Sequence, residues 1–474
     1  MDWDIPGLSI AIVRNDKIVY AKGFGVGNIY TKDPVDENTI FAIASNTKAF
    51  TTTGLGLLVQ EGKLDWDDPV LKYLPEFQLF DPVATRKITI RDLLCHRSGL
   101  GTWQGDLTWF GSNYDPDEVI HRIRFIPPVA DFRTSYRYSN LMFLVAGQII
   151  SEVTSITWQE FTKQRFFYPL NMRRSNTSVK ELRMVENVAT PHTLVNERLD
   201  TISYVPMDNC APAGGINSCV NDVTQWLRLQ LQYGNYDGKQ LVDSTIIYET
   251  RQPHNLIQIG RNAKNLNPYV HFSDYALGWR LSDYQGQLVV NHTGGLDGML
   301  SYVGFLPEQN LGVVILTNSD NHNLMNALPY HIYDLYLGEK FQDWSARYLD
   351  AYQENRDGQK EKVEERKNAR EDGTILSHPQ ADYCGTYTSQ IYGDAVIQLK
   401  NGEITIRLLA HPYVIGVLKH WQYDTFLSEW NYPVWKESYL YFDLDDQGTI
   451  KQFRVAIRPD WIDTQEYVFI KNQK

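Results

Sequence analysis

Ser45 and Lys48 form the first pattern in the chain that could do chemistry. They lie three residues apart in the segment SNTKAFTTTGLGLLVQEGK, whose apolar spacing and closing Gly62 predict a helix of about four turns. Residues at this spacing share one helix face, so the amine can take the proton of the hydroxyl. A serine in the first turn also has backbone N–H groups directed at developing negative charge. The pattern predicts an acyl-accepting serine with a lysine base.

Tyr138 and Asn140 form a second pattern, a phenol and an amide two residues apart just before a predicted helix that starts near Leu141. The phenol can relay protons to Ser45. The amide can hold either a substrate carbonyl or the lysine in place. We therefore expect Tyr138 to be catalytic and Asn140 to bind substrate.

The third pattern is His292-Thr293-Gly294-Gly295, at the end of the predicted strand QLVVNH. A strand that breaks into consecutive glycines exposes backbone N–H groups and allows another group to approach the backbone closely. We expect His292, Thr293 and Gly294 to bind substrate. The N–H groups of Gly295 and Ser45 would then form an oxyanion hole.

In this order, the three patterns resemble the Ser-x-x-Lys, Tyr-x-Asn and Lys-Thr-Gly elements of the serine β-lactamase and penicillin-binding protein superfamily, in its class C and D,D-peptidase branch. Three more segments resemble that family at the expected positions: IPGLSIAIVRNDKIVYAKGFG, TIRDLLCHRSGL and APAGGINSCVNDVTQWLRL. The resemblance covers roughly residues 1 to 340. It implies that Ser45 attacks an amide or ester carbonyl, that Lys48 and Tyr138 manage the proton, and that water releases the acyl group.

The resemblance implies neither a metal nor an organic cofactor, and the 11 histidines show no paired ligand spacing. His292 stands where typical β-lactamases and transpeptidases have a lysine that faces the substrate carboxylate. A histidine near its unperturbed pKa is mostly neutral at pH 7, so tight penicillin recognition is in doubt. The substitution is common in relatives that are D-amino-acid peptidases or esterases. We therefore expect hydrolysis of a small peptide-like amide, with D-amino-acid peptides first.

Two kinds of alternative stay open. One is a carboxylesterase or a β-lactamase-like enzyme on the same fold, and the esterase would be favoured by an open apolar cleft without an anchor for a peptide terminus. The other is a non-catalytic envelope protein that binds a ligand. Retention of Ser45, Lys48, Tyr138 and Asn140 argues against it, because decayed members would be expected to lose the nucleophile.

Two further features near these patterns contain aromatic side chains. His96, in LLCHRSGL, ends a predicted helix before Ser-Gly, and we interpret it as a structural hydrogen-bond partner. The segment GTWQGDLTWFGSNYDPD contains Trp103, Trp109, Phe110 and Tyr114. It could line the substrate cleft or pack against the helical part of the domain, and both alternatives stay open.

The elements that must position these residues predict an α/β (α+β) domain. Two or three strands are expected over residues 8 to 30, with a turn at Asn15 and Asp16 and strand sequence again over 17 to 30, and further strands at 275–281, 287–292, 299–306 and 311–318. The part between is mainly helical, at 89–96, 116–124, 139–153 and 157–166, and a last helix runs from about 322 to 337. This order predicts one antiparallel sheet built from sequence-distant pieces, with a helical lobe inserted and a site in the cleft.

The remaining chain divides into a connector and a second domain. We predict a β-lactamase-like domain over 1–345, a charged helical connector over 346–374, and an antiparallel β-barrel or sandwich over 375–474, where short runs alternate apolar and polar residues. The start of this region, ADYCGTYTSQIYG, resembles the lipocalin-like barrel of several peptidases of the family. The resemblance implies that the barrel shapes access to the active site, sometimes through oligomer formation, so a homo-oligomer is an open alternative.

Composition excludes several classes of partner. A formal net charge of -12 disfavours nucleic acid, and no apolar run reaches the roughly 18 residues of a spanning helix.

Cys95, Cys210, Cys219 and Cys384 lack metal or redox spacing and are expected to be free, with a Cys210–Cys219 pair as the alternative. No leader precedes the run from Asp2 to Asp4, which leaves a processed N-terminus open. The family resemblance favours a periplasmic or secreted protein, and a cytoplasmic one stays open.

Overall fold

The computed structural model describes residues 3–472, so Asp2 lies outside the described residues. These residues divide into two compact units. The first takes in the chain up to Phe77, Val83–Gly99 and Asp131–Asn355. The second takes in Gln78–Pro82, Leu100–Ala130 and the chain from Arg356 onward. The predicted boundaries at 345 and 375 flank the division at 355, and the assignment of residues 100–130 to the first domain differs from these units.

The strands of the first unit and of the barrel are numbered along the chain. They are β1 (Gly7–Arg14), β2 (Lys17–Gly25), β3 (Phe41–Ala42), β4 (His192–Val195), β5 (Arg198–Thr201), β6 (Asn217–Ser218), β7 (Asn235–Tyr236), β8 (Lys239–Gln240), β9 (Asn255–Leu256), β10 (Ser273–Tyr275), β11 (Arg280–Tyr284), β12 (Gln287–Leu296), β13 (Met299–Leu306), β14 (Leu311–Thr317), β15 (Gly385–Ser389), β16 (Gly393–Lys400), β17 (Glu403–Leu408), β18 (Ile415–Gln422), β19 (Thr425–Trp430), β20 (Glu437–Leu444), β21 (Ile450–Val455) and β22 (Tyr467–Lys471).

The α-helices are numbered in the same way. They are α1 (Thr47–Gln60), α2 (Pro82–Lys87), α3 (Ile90–Leu94), α4 (Pro116–Arg122), α5 (Asn140–Thr154), α6 (Trp158–Thr162), α7 (Val179–Leu182), α8 (Ala211–Gly214), α9 (Val220–Leu231), α10 (Ser244–Glu249), α11 (Arg261–Leu266), α12 (Leu324–Leu337) and α13 (Trp344–Asn368).

An antiparallel sheet of eight strands organises the first unit, in the order β2-β1-β14-β13-β12-β11-β10-β9. Because β1 pairs with β14, the sheet joins strands from the two ends of the unit, and the prediction of one sheet from sequence-distant pieces is confirmed. Asn15 and Asp16 both adopt the left-handed conformation that a tight hairpin turn requires. Every residue of β14 is buried. Helix α9 packs against this strand, and Leu311, Val313 and Ile315 of β14 belong to an apolar cluster that includes residues of α12.

Three details of the sheet differ from the predictions, and the first is that β2 ends at Gly25 and not near residue 30. The strand predicted over 275–281 is interrupted, because Gly278 has a left-handed φ of +76° and turns the chain between β10 and β11. The strand predicted to end at His292 continues as β12 through Gly294 and Gly295 to Leu296, since pairing with β13 holds the glycines in the ladder. The His292–Gly295 segment is therefore a strand edge and not a turn.

The helical lobe lies between β3 and β9 in sequence, and α1 and α5 form its centre. Helix α1 begins at Thr47, and a 3₁₀ turn, Ala44–Asn46, precedes it, so Ser45 lies just before the helix and not in its first turn. Ten of the fifteen residues of α5 are buried, as expected of a core helix. Within residues 3–472, no single helix is long and apolar enough to cross a membrane, although α5 and the bent segment Trp158–Phe167 pass that test as a pair.

In the second unit, β15 to β22 form a closed antiparallel barrel. The alternative of a sandwich is excluded, because β15 pairs with β22 as well as with β16. Buried and more exposed residues alternate along the strands, and the turn at Asn401-Gly402 has left-handed φ at both residues. The buried positions include large aromatic side chains that contact one another: Tyr383, Tyr387, Phe426, Phe442 and Phe453.

The aromatic segment of residues 100–130 belongs to this barrel unit, which neither predicted alternative described. Asp463 links this segment to the rest of the barrel unit, because the Gly105 N–H and the Tyr392 hydroxyl each donate a hydrogen bond to Asp463 Oδ2 at 2.7 Å. The His411 ring contacts the Leu107 carbonyl at 3.1 Å. The burial of Asp463 raises the pKa of its carboxyl to about 7, and the hydrogen bonds it accepts oppose the rise.

This burial predicts a pH dependence of stability. An unfolded aspartate has a pKa of about 3.9, so between about pH 4 and pH 7 the folded chain holds a proton that the unfolded chain releases. We expect the free energy of unfolding to fall as pH rises through this window, by at most about 1.4 kcal/mol per pH unit from Asp463. Asp463→Asn should flatten this slope in thermal unfolding of the full chain. The exposed Asp446→Asn is the control, and equal slopes for wild type and Asp463→Asn would contradict the prediction.

Candidate active site

Ser45 is held in a strained turn. Ala44 has a left-handed φ of +47°, which a non-glycine residue adopts only where its surroundings impose it. Ser301 on β13 supplies part of that constraint, since its hydroxyl donates to the Ile43 carbonyl at 2.7 Å and accepts from Asn46 Nδ2 at 2.8 Å. Both flanking residues are buried whereas Ser45 is partly exposed, so the turn presents the Ser45 hydroxyl from a fixed frame.

Lys48 lies one turn into the helix and is fully buried. Its Nζ is 3.1 Å from Ser45 Oγ, and it donates to Asn140 Oδ1 and to the Ala213 carbonyl, both at 2.7 Å. These two acceptors can take two N–H groups, while a third position on the nitrogen faces Ser45 Oγ. A neutral amine so placed can take the hydroxyl proton through its lone pair.

The structure brings Tyr138 and Asn140 to the same amine. The Tyr138 ring centre is 4.7 Å from Lys48 Nζ, and the Phe143 ring centre is 5.3 Å from it. Asn140 is the first residue of α5, and its amide oxygen holds the lysine, which is one of the two roles the sequence left open for it. Substrate contact by Asn140 stays a prediction.

The strand β12 approaches the Ser45 turn so closely that only glycine fits at position 294. A Cβ on Gly294 would lie 2.2 Å from the Ile43 carbonyl oxygen, 2.4 Å from Ser301 Oγ and 3.0 Å from the Ser45 nitrogen. Gly294 pairs with Ser301 in the ladder, and Gly295 follows it. The predicted pair of oxyanion donors thus belongs to two segments in van der Waals contact.

One edge of this strand has no paired strand near the site. Strand β12 pairs with β11 as far as Asn291, opposite Arg280, whereas its pairing with β13 continues to Leu296. Among the described residues, β11 therefore leaves the facing edge of residues 292–296 uncovered. Thr293 is exposed on this stretch. An extended substrate backbone could hydrogen-bond along such an edge.

His292 is directed toward the protein. Its Nδ1 is 2.6 Å from the Thr293 carbonyl, which can only accept, so Nδ1 carries the proton. Its Nε2 is 2.8 Å from the Tyr275 hydroxyl, which then donates to it. Burial, and secondarily the charge of Lys48, lowers the pKa of His292 to about 3. His292 is thus neutral with both ring nitrogens hydrogen-bonded, and its binding of substrate stays a prediction.

Arg280 supplies a cation that the sequence patterns did not reveal. Its Nη2 is 3.4 Å from the Tyr136 hydroxyl, and it lies opposite Asn291, next to His292. The charge of Arg280 contributes to lowering the pKa values of His292 and His96. The side chain is half-buried at the β11 end where the strand edge opens.

Other contributors have no recognisable sequence signal. The Ala213 carbonyl acts through the backbone, Ser301 is a serine in the largely apolar strand β13, and Tyr275 ends the three-residue strand β10. His96 accepts the Ser139 N–H on Nδ1 at 3.1 Å, which confirms its interpretation as a structural hydrogen-bond partner. The four cysteines are free. Residues 3–472 contain no group of three or more His, Cys, Asp or Glu side chains arranged to hold a metal ion.

Two family profiles match the two parts of this chain. The Beta-lactamase family profile matches residues 2–336, and a Domain of unknown function (DUF3471) matches residues 369–469. The unguisins hydrolase ungD' of Aspergillus campestris is 30% identical over 366 residues, covering 73% of this chain and 66% of its own length. Protein flp of Staphylococcus aureus is 29% identical over 359 residues, covering 74% and 67%. The chain thus spans about two thirds of the length of these relatives.

Solved structures show the same fold. The octameric penicillin-binding protein homologue from Pyrococcus abyssi superposes with a TM-score of 0.65 at 22% identity, covering 99% of this chain and 97% of that one. A D-stereospecific amidohydrolase from Streptomyces has a TM-score of 0.55 at 23% identity, covering 67% and 90%. The chain belongs to the β-lactamase family. Of these relatives, the unguisins hydrolase is named as a hydrolase.

The close approach at Gly294 predicts a specific sensitivity. Gly294→Ala should push β12 away from the Ser45 turn and lower the rate at which Ser45 is labelled on the order of 100-fold, the size of effect seen when an oxyanion donor is lost. Gly27→Ala is the matched control, because its added Cβ would meet nothing closer than 3.7 Å. Serine labelling by a fluorophosphonate gives the rates, and thermal unfolding checks that both variants fold. Equal labelling rates for the two variants would contradict the prediction.

Proposed function

We propose that this chain is a serine hydrolase that forms an acyl-enzyme on Ser45 and acts on small peptide-like amides, D-amino-acid peptides first. The observation that carries the proposal is the contact between Lys48 Nζ and Ser45 Oγ at 3.1 Å, with the amine held by Asn140 and Ala213. A decayed, non-catalytic relative would have no need of a buried amine at this position. The names of its relatives as hydrolases support the same reading.

The proposed reaction has two halves. In the first, Ser45 Oγ attacks the substrate carbonyl while its proton passes to Lys48, with Tyr138 as a relay, and the N–H groups of Ser45 and Gly295 bind the oxyanion. Collapse of the tetrahedral adduct expels the amine, which takes the proton back. In the second half, the same groups assist water as it attacks the acyl-enzyme ester. The carboxylic acid leaves, and the Ser45 hydroxyl is regenerated.

Arg280 favours a peptide with a free carboxylate over a neutral ester. The neutral state of His292 removes the cation that a lysine would provide at that position. Burial acts to lower the pKa of the Arg280 guanidinium, but that pKa stays above its ordinary value, so Arg280 is charged at neutral pH where the pairing of β11 with β12 ends. A carboxylesterase that acts on a neutral ester would need no cation to bind a substrate carboxylate. The guanidinium is therefore the proposed anchor for a substrate carboxylate.

The first test is a substrate panel with wild type and Ser45→Ala. It contains D- and L-aminoacyl p-nitroanilides, a peptide ending in two D-alanines, p-nitrophenyl butyrate and nitrocefin. We expect Ser45-dependent turnover of a D-configured amide, and a mass increase on Ser45 with a fluorophosphonate. Turnover of butyrate alone would move the assignment to an esterase. An unlabelled wild type would refute the enzyme.

The second test concerns the anchor. Arg280→Gln removes the charge, and it should raise KM for a free C-terminal carboxylate on the order of 10-fold to 100-fold, as expected for loss of a charge-assisted hydrogen bond. The C-terminal amide of the same peptide should be hydrolysed equally by both proteins. Equal KM increases for acid and amide would mean that Arg280 only supports the local structure.

Assembly into a homo-oligomer stays a prediction for this chain. The Pyrococcus abyssi homologue is described as octameric, which motivates the proposal and concerns that protein alone.

A further inference from the structure

His96 occupies an unusual backbone position directly after α3. Its φ of +59° lies in the left-handed region, where histidine and asparagine are tolerated better than most residues. Its carbonyl accepts from the Arg137 N–H at 3.0 Å and from Asn255 Nδ2 at 3.1 Å. The side chain is fully buried. Hydrogen bonds to its carbonyl therefore hold the main chain of His96 independently of the contacts of its ring.

The ring holds the segment that leads into α5. The Ser139 N–H donates to His96 Nδ1 at 3.1 Å, and the His96 ring centre is 4.3 Å from that of Tyr138. Together with the bond from Arg137, this fastens the segment to His96 at two backbone positions. Ser139 precedes α5, and its own side chain makes no capping hydrogen bond. The start of α5 is thus held from outside by the histidine.

We propose that His96 is a positioning residue that sets the geometry of Tyr138 and Asn140 around Lys48 by accepting the Ser139 N–H on Nδ1. Both neighbours of Ser139 contact the amine, since Asn140 Oδ1 is 2.7 Å from Lys48 Nζ and the Tyr138 ring centre 4.7 Å from it. One anchor on the residue between them fixes both.

The anchor requires a neutral imidazole with its lone pair on Nδ1. Burial, followed by the positive charges of Lys48 and Arg280, lowers the pKa of His96 well below its usual value. A proton on Nδ1 would face the Ser139 N–H and end the hydrogen bond. The surroundings therefore keep the acceptor available at neutral pH.

Two variants separate the acceptor from the ring. His96→Asn can place an amide oxygen near the Nδ1 position and tolerates the left-handed backbone, but it lacks the ring. His96→Phe keeps an aromatic ring and lacks the acceptor. Because this inference rests on the proposed function, both are measured on the substrate that wild type hydrolyses in a Ser45-dependent way. His96→Leu, which also lacks an acceptor, replaces the phenylalanine variant if that protein does not fold.

We expect His96→Phe to lower kcat on the order of 100-fold with little change in KM, as for a misplaced catalytic group, and His96→Asn to keep most of the activity. The acidic limb of the kcat profile should move in His96→Phe, because a displaced Asn140 no longer holds the protonated amine. A phenylalanine variant with wild-type kcat would overturn the proposal. So would equal losses in both variants that follow their thermal stability.

A measurement without turnover separates this inference from the proposed function. Hydrogen exchange at the Ser139 amide, read by mass spectrometry with fragmentation, should stay slow in wild type and His96→Asn and become fast in His96→Phe. Slow exchange in His96→Phe would show that Nδ1 is not the anchor. If wild type showed no Ser45-dependent turnover or labelling, the proposed function would fail, while the exchange result would still decide whether His96 holds the segment.

Discussion

The buried amine of Lys48 is the constraint on which the helical lobe depends. An amine removed from water is tolerated only where acceptors replace the solvent, and here they come from separate parts of the chain. Asn140 Oδ1 stands at the start of α5 and the Ala213 carbonyl in α8. These helices meet closely, because a Cβ on Gly147 of α5 would lie 2.0 Å from Pro212 Cγ. The amine is therefore satisfied only when α1, α5 and α8 have packed together.

The contact between the sheet and the Ser45 turn is the second constraint. The left-handed Ala44 is a conformation that the local sequence does not favour, and tertiary contacts from Ser301 and Gly294 impose it. Ser301 and Gly294 are opposite each other in the β12–β13 ladder. A single pair of ladder positions thus fixes both the nucleophile and the strand beside it, which explains why the sheet must be assembled before the site exists.

The sequence predicted the parts of this site that local chemistry specifies. The spacing of Ser45 and Lys48, the Asn15-Asp16 hairpin and the bounds of β13 follow from short-range patterns, and the structure agrees with them. The end of β12 was predicted wrongly, because glycines favour a break locally and pairing with β13 overrides that preference. Residues 100–130 were ambiguous for a similar reason, since an aromatic surface does not specify which neighbour buries it.

The roles of backbone groups and isolated polar residues could not be read from the sequence. A carbonyl such as that of Ala213 has the same sequence signature as any other. Arg280 and Tyr275 sit in strand segments where a single arginine or tyrosine is ordinary. Their importance arises from the sheet register, which places Arg280 opposite Asn291 and Tyr275 beside His292. Register is a property of the assembled sheet and not of any one segment.

The titratable rings around the site are held in their neutral forms. Burial lowers the pKa values of His96 and His292 and raises that of Tyr275, and the positive charge of Lys48 adds to the effect on both histidines. A histidinium at either position would repel the amine and lose a hydrogen bond. Neutral rings also screen charge less than water does, so an anionic group near Arg280 would interact with it more strongly. Because His292 is neutral, the proposed recognition of a substrate carboxylate relies on the guanidinium of Arg280 on β11.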